Sequence, residues 1–140
     1  MTLSLSAGLT HATAVAINGS GLLIIGPSGC GKSGLALQMI ALGAKLVADD
    51  QVWLVQTAEG IQLHPPDTLK GKIEARQLGI LECAFEPHAL LTLVIALDKN
   101  EPERLPYGKT IQVGGEKIDL IYGANVPNLA SALMVRFHKR

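Results

Sequence analysis

This sequence has no net charge, only two cysteines and no long apolar run, and these features exclude several classes of protein. The 140 residues carry 12 Lys and Arg against 12 Asp and Glu, so no strong field attracts nucleic acid or an anionic membrane. No apolar run is long enough to span a bilayer. The first residues lack the positive start and long apolar centre of a signal peptide. We therefore expect a cytoplasmic protein with neither nucleic-acid nor membrane partners.

The two cysteines, Cys30 and Cys83, do not form a recognisable disulfide or metal pattern. Cys30 lies within a glycine-rich loop, where a structural disulfide is not expected, and a reducing compartment fits this usage. The 48% hydrophobic content argues against disorder, and the length suits one domain with its own core. We find no repeat, low-complexity stretch or linker, so we predict a single domain over residues 1–140.

The strongest positive signal is the segment GPSGCGKS at residues 26–33, which has the spacing G-x-x-x-x-G-K-[ST]. An apolar run at 22–25 precedes it, and a helical pattern follows it to about Leu42, with Gly43 at the helix end. A strand, a glycine loop and a helix in this order direct backbone N–H groups at phosphate oxygens. The predicted nucleotide-binding residues are Gly26, Pro27, Ser28, Gly29, Cys30, Gly31, Lys32 and Ser33.

The residue types in the loop suggest separate roles. The glycines let the backbone turn closely around an anion, and Lys32 brings a positive charge to the β- and γ-phosphates. The hydroxyl of Ser33 can bind Mg²⁺. An ordinary glycine-rich turn is the alternative. The apolar run before the segment and the helical pattern after it argue against this alternative.

The remaining periodicity predicts a layered α/β domain. The apolar run at 90–97 is typical of a strand buried on both faces. A last helix is predicted to follow Asn128, which we expect to act as its cap. Its cationic end comprises Arg136, His138, Lys139 and Arg140. Further strands are predicted at 12–17, 45–48, 52–55, 61–63, 110–113 and 116–120, whereas residues 68–83 give no clear prediction.

Two adjacent carboxylates, Asp49 and Asp50, directly follow a short apolar strand. A carboxylate at a strand end near a phosphate loop commonly holds Mg²⁺, and its neighbour can accept a proton from an attacking hydroxyl. A solvated Asp-Asp turn is the alternative. A later cluster, EARQLGI at 74–80, has no functional meaning by itself, because Glu and Arg two residues apart usually lie on a solvated strand or turn.

Four segments in this order resemble the catalytic domain of HPr kinase/phosphorylase. They are His11, the loop at 26–33, LVADD at 46–50 and EARQLGI at 74–80. The resemblance implies a bacterial enzyme that uses ATP and Mg²⁺ to phosphorylate a serine of HPr, a phosphocarrier of the sugar phosphotransferase system. It also implies an α/β, phosphoenolpyruvate-carboxykinase-like fold with mixed β-sheets, a phosphate-loop helix and a C-terminal helix. The wider family forms hexamers, so self-association is expected.

The same resemblance assigns roles to individual residues. Asp49 corresponds to the family's catalytic aspartate, which deprotonates the serine, and His11 and Arg76 join it as catalytic residues. Asp50 and Glu74 correspond to acidic residues near the cation, which Ser33 also binds.

Several departures from the family pattern shape these expectations. We expect the family's N-terminal domain to be absent, as in the short, single-domain form that the chain resembles. The family's arginine-rich loop is not recognisable after Pro106, which makes the reverse, phosphorolytic reaction doubtful. Two other functions stay open, a nucleotide-sensing module without transfer activity and a small-molecule kinase.

Overall fold

The computed structural model describes residues 3–67 and 70–138, so Lys139 and Arg140 of the predicted cationic end lie outside the described residues. No helix in the described part is long and apolar enough to cross a membrane. The two described helices are α1 (Lys32–Ala41) and α2 (Leu129–Arg136). The described strands are β1 (Ser4–Leu5), β2 (Gly8–His11), β3 (Thr13–Ile17), β4 (Ser20–Ile25), β5 (Lys45–Ala48), β6 (Gln51–Thr57), β7 (Gly60–His64), β8 (Lys72–Ala75), β9 (Gly79–Glu82), β10 (Ala89–Ala96), β11 (Lys109–Val113) and β12 (Glu116–Tyr122).

Ten of these strands form one mixed sheet that curls around an apolar core. The main path runs β1-β11-β12-β10-β4-β3-β5, and β7, β6 and β2 continue from a second branch at β10. The branch arises because β10 pairs in parallel with β4 and β12, while its first residues pair antiparallel with β7. Strands β8 and β9 form a separate hairpin. The mixed α/β class predicted from the sequence is confirmed.

The central strands are buried on both faces, as the apolar run at 90–97 predicted. On the inner face, Leu23 and Val94 pack with Leu54 and Leu63 from the other branch of the sheet. On the outer face, Ile24, Ile95 and their neighbours pack against the apolar sides of α1 and α2. Because both faces are covered, alternating positions of one strand serve two different cores.

Helix α1 follows β4 through the phosphate loop and buries Leu35, Ala36 and Met39. Its predicted end is confirmed: Gly43 has a φ of 114° and donates its N–H to Ile40 O at 3.0 Å. Glycine adopts this left-handed conformation without a Cβ penalty. The packing of α1 against the sheet fixes the direction in which its first turn points.

The last helix begins where predicted, but its start differs in detail. Asn128 precedes α2 with a φ of 56°, and its side chain makes no capping hydrogen bond. A side-chain cap normally requires an extended backbone at that residue, so the left-handed conformation explains its absence. Asn128 therefore marks the helix start through its backbone conformation.

Candidate active site

The phosphate loop connects β4 to α1 by a turn that depends on glycine. Gly26, Gly29 and Gly31 have φ values of 149°, 84° and 101°, a region that side chains disfavour. A Cβ added to Gly26 would lie 2.6 Å from the Sγ of Cys30, which leaves no room for a side chain. The tight backbone turn that the sequence predicted is therefore present.

The ammonium group of Lys32 lies inside this turn, and the residue is only 8% exposed. Its Nζ donates hydrogen bonds to Gly26 O at 2.8 Å and to Pro27 O at 3.1 Å. An ammonium group has three protons, so one remains for an anion. Lys32 is also the first residue of α1, where backbone N–H groups lack intrahelical partners. The loop thus combines a fixed cation with amide donors that lack intrahelical partners.

Asp49 is the point where three separate elements meet. Its Oδ1 accepts hydrogen bonds from Ser33 Oγ at 2.6 Å and from Thr13 Oγ1 at 3.1 Å. Its Oδ2 accepts the backbone N–H of Glu74 at 3.1 Å. Asp49 is 8% exposed, so these donors replace the water that a carboxylate requires. This arrangement ties α1, β3 and β8 to one buried carboxylate.

Asp50 faces a different environment, because the chain turns sharply at this residue. Its φ is 72°, and the N–H of Gln51 donates to Asp49 O at 2.9 Å across it, which is the pattern of a γ-turn. The His11 Nε2 lies 3.3 Å from Asp50 Oδ1, and the N–H of Ala12 donates to Asp50 O at 3.2 Å. The side chain of Asp50 is 68% exposed. An unfavourable backbone conformation held by several contacts is typical of functional sites.

A cavity of about 430 Å³ gathers most of the predicted site residues. From the phosphate loop and α1, its wall includes Ser28, Gly29, Gly31, Lys32 and Ser33. From other elements, its wall includes His11, Asp50, Glu74 and Arg76.

Four predicted residues lie outside this wall. Asp49 is buried behind Ser33, and the carbonyl oxygens of Gly26 and Pro27 face Lys32. Cys30 lines a separate depression beside α2 and donates its N–H to Pro27 O at 3.2 Å. These residues therefore shape or support the cavity and do not line it.

The weakest sequence signal, EARQLGI, is brought into the site by the β8–β9 hairpin. Glu74 is anchored through its backbone N–H to Asp49. Arg76 then enters a turn in which Leu78 N–H donates to Ala75 O at 3.0 Å, and Gln77 has a φ of 69°. As a result, Glu74 and Arg76 both line the cavity together with residues of the phosphate loop.

The donor atoms at this site suit a hard cation that is shared with a ligand. Among residues 3–67 and 70–138, no group of three or more His, Cys, Asp or Glu side chains could hold a metal ion by itself. Mg²⁺ is usually held by one or two carboxylates together with substrate phosphates and water. The Ser33 hydroxyl and the Glu74 carboxylate line the cavity and fit such a set, and Asp49 holds the Ser33 hydroxyl through a hydrogen bond.

A nearby thiol does not compete for that cation. Burial, and secondly the negative charge of Asp49, raise the pKa of the Cys83 thiol. The neutral S–H form is therefore favoured, and only the thiolate binds metals well. The oxygen donors are left as the relevant ligands.

Sequence reasoning missed one member of the site, Thr13. It is 1% exposed and contacts Asp49 from the first position of β3. A hydroxyl at the start of the otherwise apolar strand TAVAI was the available signal, because buried polar side chains need partners.

The chain is similar to known proteins in both sequence and fold. The family model described as HPr Serine kinase C-terminal domain matches residues 4–127. A solved structure of the Hpr(Ser) kinase/phosphatase from Coxiella burnetii matches with a TM-score of 0.77 and 28% sequence identity, covering 91% of this chain and 88% of that chain.

Curated relatives named HPr kinase/phosphorylase are similar over parts of the chain. The Bordetella pertussis protein is 48% identical over 73 residues, which cover 51% of this chain and 24% of the relative. The Azoarcus protein is 39% identical over 116 residues, covering 74% of this chain and 37% of the relative. The matched part of the chain thus spans 24% to 37% of the length of these relatives. Since the family model covers most of its length, the chain belongs to the HPr serine kinase C-terminal domain family.

Proposed function

We propose that this chain is an ATP- and Mg²⁺-dependent protein serine kinase that phosphorylates an HPr-like phosphocarrier in the bacterial cytoplasm. The observation that carries the proposal is the 2.6 Å hydrogen bond between Ser33 of the phosphate loop and Asp49. It joins the anion-binding turn and the acidic pair around one small cavity. The names of the curated relatives, HPr kinase/phosphorylase, support the choice of substrate.

The nucleotide phosphates bind along the loop in this proposal. Backbone N–H groups at the start of α1 and the third Lys32 proton contact the phosphate oxygens. Ser33 binds Mg²⁺ through its hydroxyl, Asp49 holds that hydroxyl in place through their hydrogen bond, and Glu74 faces the cation from the hairpin side. When bound, the cation neutralises charge on the β- and γ-phosphates. Phosphoryl transfer requires little covalent help from the protein, so positioning and charge supply most of the rate enhancement.

The contacts favour Asp50 as the proton acceptor, which exchanges the roles that the family resemblance implies for the two acids. Asp49 already receives three hydrogen bonds and does not line the cavity. Asp50 lines the cavity and is largely exposed, so a serine hydroxyl can reach its carboxylate. A general base must lie within hydrogen-bond distance of the proton that it removes.

His11 and Arg76 complete the proposed catalytic group. His11 contacts Asp50 Oδ1 and orients this carboxylate toward the cavity. Arg76 lies on the hairpin side of the cavity, where its guanidinium can stabilise charge on the transferring phosphoryl group.

We also propose that the fold is of the phosphoenolpyruvate-carboxykinase-like type. The strand before the phosphate loop, β4, pairs in parallel with β10 but antiparallel with β3. A doubly wound nucleotide-binding domain would instead have a mostly parallel sheet. The mixed pairing around the loop supports the proposal.

A transfer assay tests the proposed function directly. The purified chain is incubated with labelled ATP, Mg²⁺ and HPr from a matching bacterium, and phosphoserine is mapped by mass spectrometry. We expect one labelled serine, and HPr with that serine changed to alanine is the matched control. Tight ATP binding without phosphoserine would favour a nucleotide-sensing module. Adding inorganic phosphate to phosphorylated HPr tests the reverse reaction, for which we expect little pyrophosphate.

Replacing Lys32 by alanine should weaken ATP binding by about 10- to 100-fold, because a charge-assisted contact contributes roughly 1.5–3 kcal/mol. Calorimetric titration with ATP measures this change. Lys45→Ala is the control, since Lys45 pairs with Glu86 at the surface and does not line the cavity. Equal ATP affinity in Lys32→Ala and the parent would contradict the loop assignment.

A further inference from the structure

We propose that Thr13 is a positioning residue, whose hydroxyl fixes the Asp49 carboxylate in the orientation that holds the Ser33 hydroxyl toward a divalent cation. The inference rests on the proposed function and assigns a role to a residue outside the predicted site. It concerns how the cation is held, and not how the proton is removed.

The side-chain hydroxyl of Thr13 is directed at Asp49. The residue is 1% exposed, and within the described residues its Oγ1 donates to Asp49 Oδ1 at 3.1 Å. No buried side-chain nitrogen or oxygen in the described part of the chain is unpaired, so the Thr13 hydroxyl belongs to a fully satisfied group. Removing it leaves one acceptor position of a buried carboxylate without a donor.

The same short segment holds both acids in place. His11 contacts the Asp50 carboxylate, the N–H of Ala12 donates to Asp50 O, and Thr13 donates to Asp49. His11 and Thr13 therefore each contact one of the two adjacent carboxylates, and Ala12 between them holds the backbone of Asp50. Of these contacts, the Thr13 bond is the one that reaches the oxygen shared with Ser33.

The orientation of the Asp49 carboxylate matters because its Oδ1 accepts hydrogen bonds from both Thr13 and Ser33. When Ser33 gives a lone pair of its hydroxyl to a cation, its proton must still be accepted by Asp49 Oδ1. The torsion that rotates a carboxylate is broad and soft, so the carboxylate needs anchors on both oxygens. Thr13 anchors Oδ1 and the Glu74 N–H anchors Oδ2. Loss of partners that orient a metal ligand typically lowers metal affinity by about 10- to 100-fold.

The test compares Thr13→Val, which removes the hydroxyl at nearly constant volume, with Thr13→Ser, which keeps it. Mn²⁺ serves as the probe, and its affinity is titrated by electron paramagnetic resonance in the presence of a non-hydrolysable ATP analogue. We expect Thr13→Val to weaken Mn²⁺ binding by about 10-fold or more and Thr13→Ser to restore it. Binding of the analogue without metal should not change. Thr13→Ala replaces the valine variant if the latter does not fold.

Thr92→Val is the matched control, because Thr92 Oγ1 donates to Gly21 O at 3.1 Å on a strand outside the cavity. Thermal unfolding is recorded for every variant. If Thr92→Val weakens Mn²⁺ binding as much as Thr13→Val, the effect is general destabilisation and the proposal fails. If Thr13→Val binds Mn²⁺ with the same affinity as the parent, the proposal is wrong. If the parent transfers no phosphate to HPr while Thr13→Val still selectively loses Mn²⁺, the kinase proposal fails and the positioning role stands.

Discussion

Replacing Asp50 by asparagine should reduce phosphoserine formation on HPr by about 10²- to 10⁴-fold while ATP affinity stays close to that of the parent. Asparagine keeps the shape of the side chain but cannot take a proton from the attacking hydroxyl. Asp50 is largely exposed and contacts His11 through one oxygen, so the substitution disturbs few other contacts. The loss should therefore fall on the transfer step.

Single-turnover transfer from ATP to HPr measures this effect, and calorimetry measures the ATP affinity of the same preparation. Glu59→Gln is the control, since Glu59 is an exposed acid in the turn before β7. Transfer by Asp50→Asn at a rate near that of Glu59→Gln would rule out Asp50 as the base. Loss of ATP binding together with transfer would instead indicate a role for Asp50 in holding the nucleotide.

The parts of the fold that were predictable from the sequence are those whose residues interact with near neighbours or with a large core. The loop and α1 follow from local spacing and from the apolar positions Leu35 and Met39. Strand β10 was predicted because burial on both faces produces an unbroken apolar run. In each case the physical cause of the structure lies within the segment itself.

The sequence did not predict the β8–β9 hairpin, because the interactions that stabilise it are made mainly with residues outside the hairpin. In β8 only Ile73 and Ala75 are buried, and all four residues of β9 are exposed. The hairpin is held by Ile73, which packs in the core beneath α1, and by the Glu74 N–H on Asp49. Both interactions depend on residues distant in the sequence, so the hydrophobic periodicity of the hairpin segment could not predict them.

The same reason limits what the sequence could say about the acidic pair. Adjacent aspartates look equivalent in a sequence, but the turn at Asp50 directs the two side chains into different environments. The partners of Asp49 lie 16, 25 and 36 residues away along the chain. Only the folded structure separates a buried, fully bonded carboxylate from an exposed one beside it.

Replacing Asp49 by asparagine should therefore have a different and broader effect than Asp50→Asn. All three partners of Asp49 donate hydrogen bonds, and an asparagine amide has one accepting oxygen in place of two, so either the Glu74 N–H or the Ser33 and Thr13 hydroxyls lose their acceptor. An unsatisfied buried group of this kind costs about 1–3 kcal/mol of folding free energy. Loss of the negative charge should also raise the Mg²⁺ concentration needed for transfer by about 10- to 100-fold.

Thermal unfolding and a Mg²⁺ titration of the transfer rate measure these two effects in one variant. We expect a lowered melting temperature and a transfer rate that recovers in part at high Mg²⁺, because the Asp50 base is still present. Asp50→Asn should show neither change, since added cation cannot replace a missing proton acceptor. If Asp49→Asn kept the parent's Mg²⁺ requirement and lost only transfer, Asp49 would be the base, as the family resemblance implies.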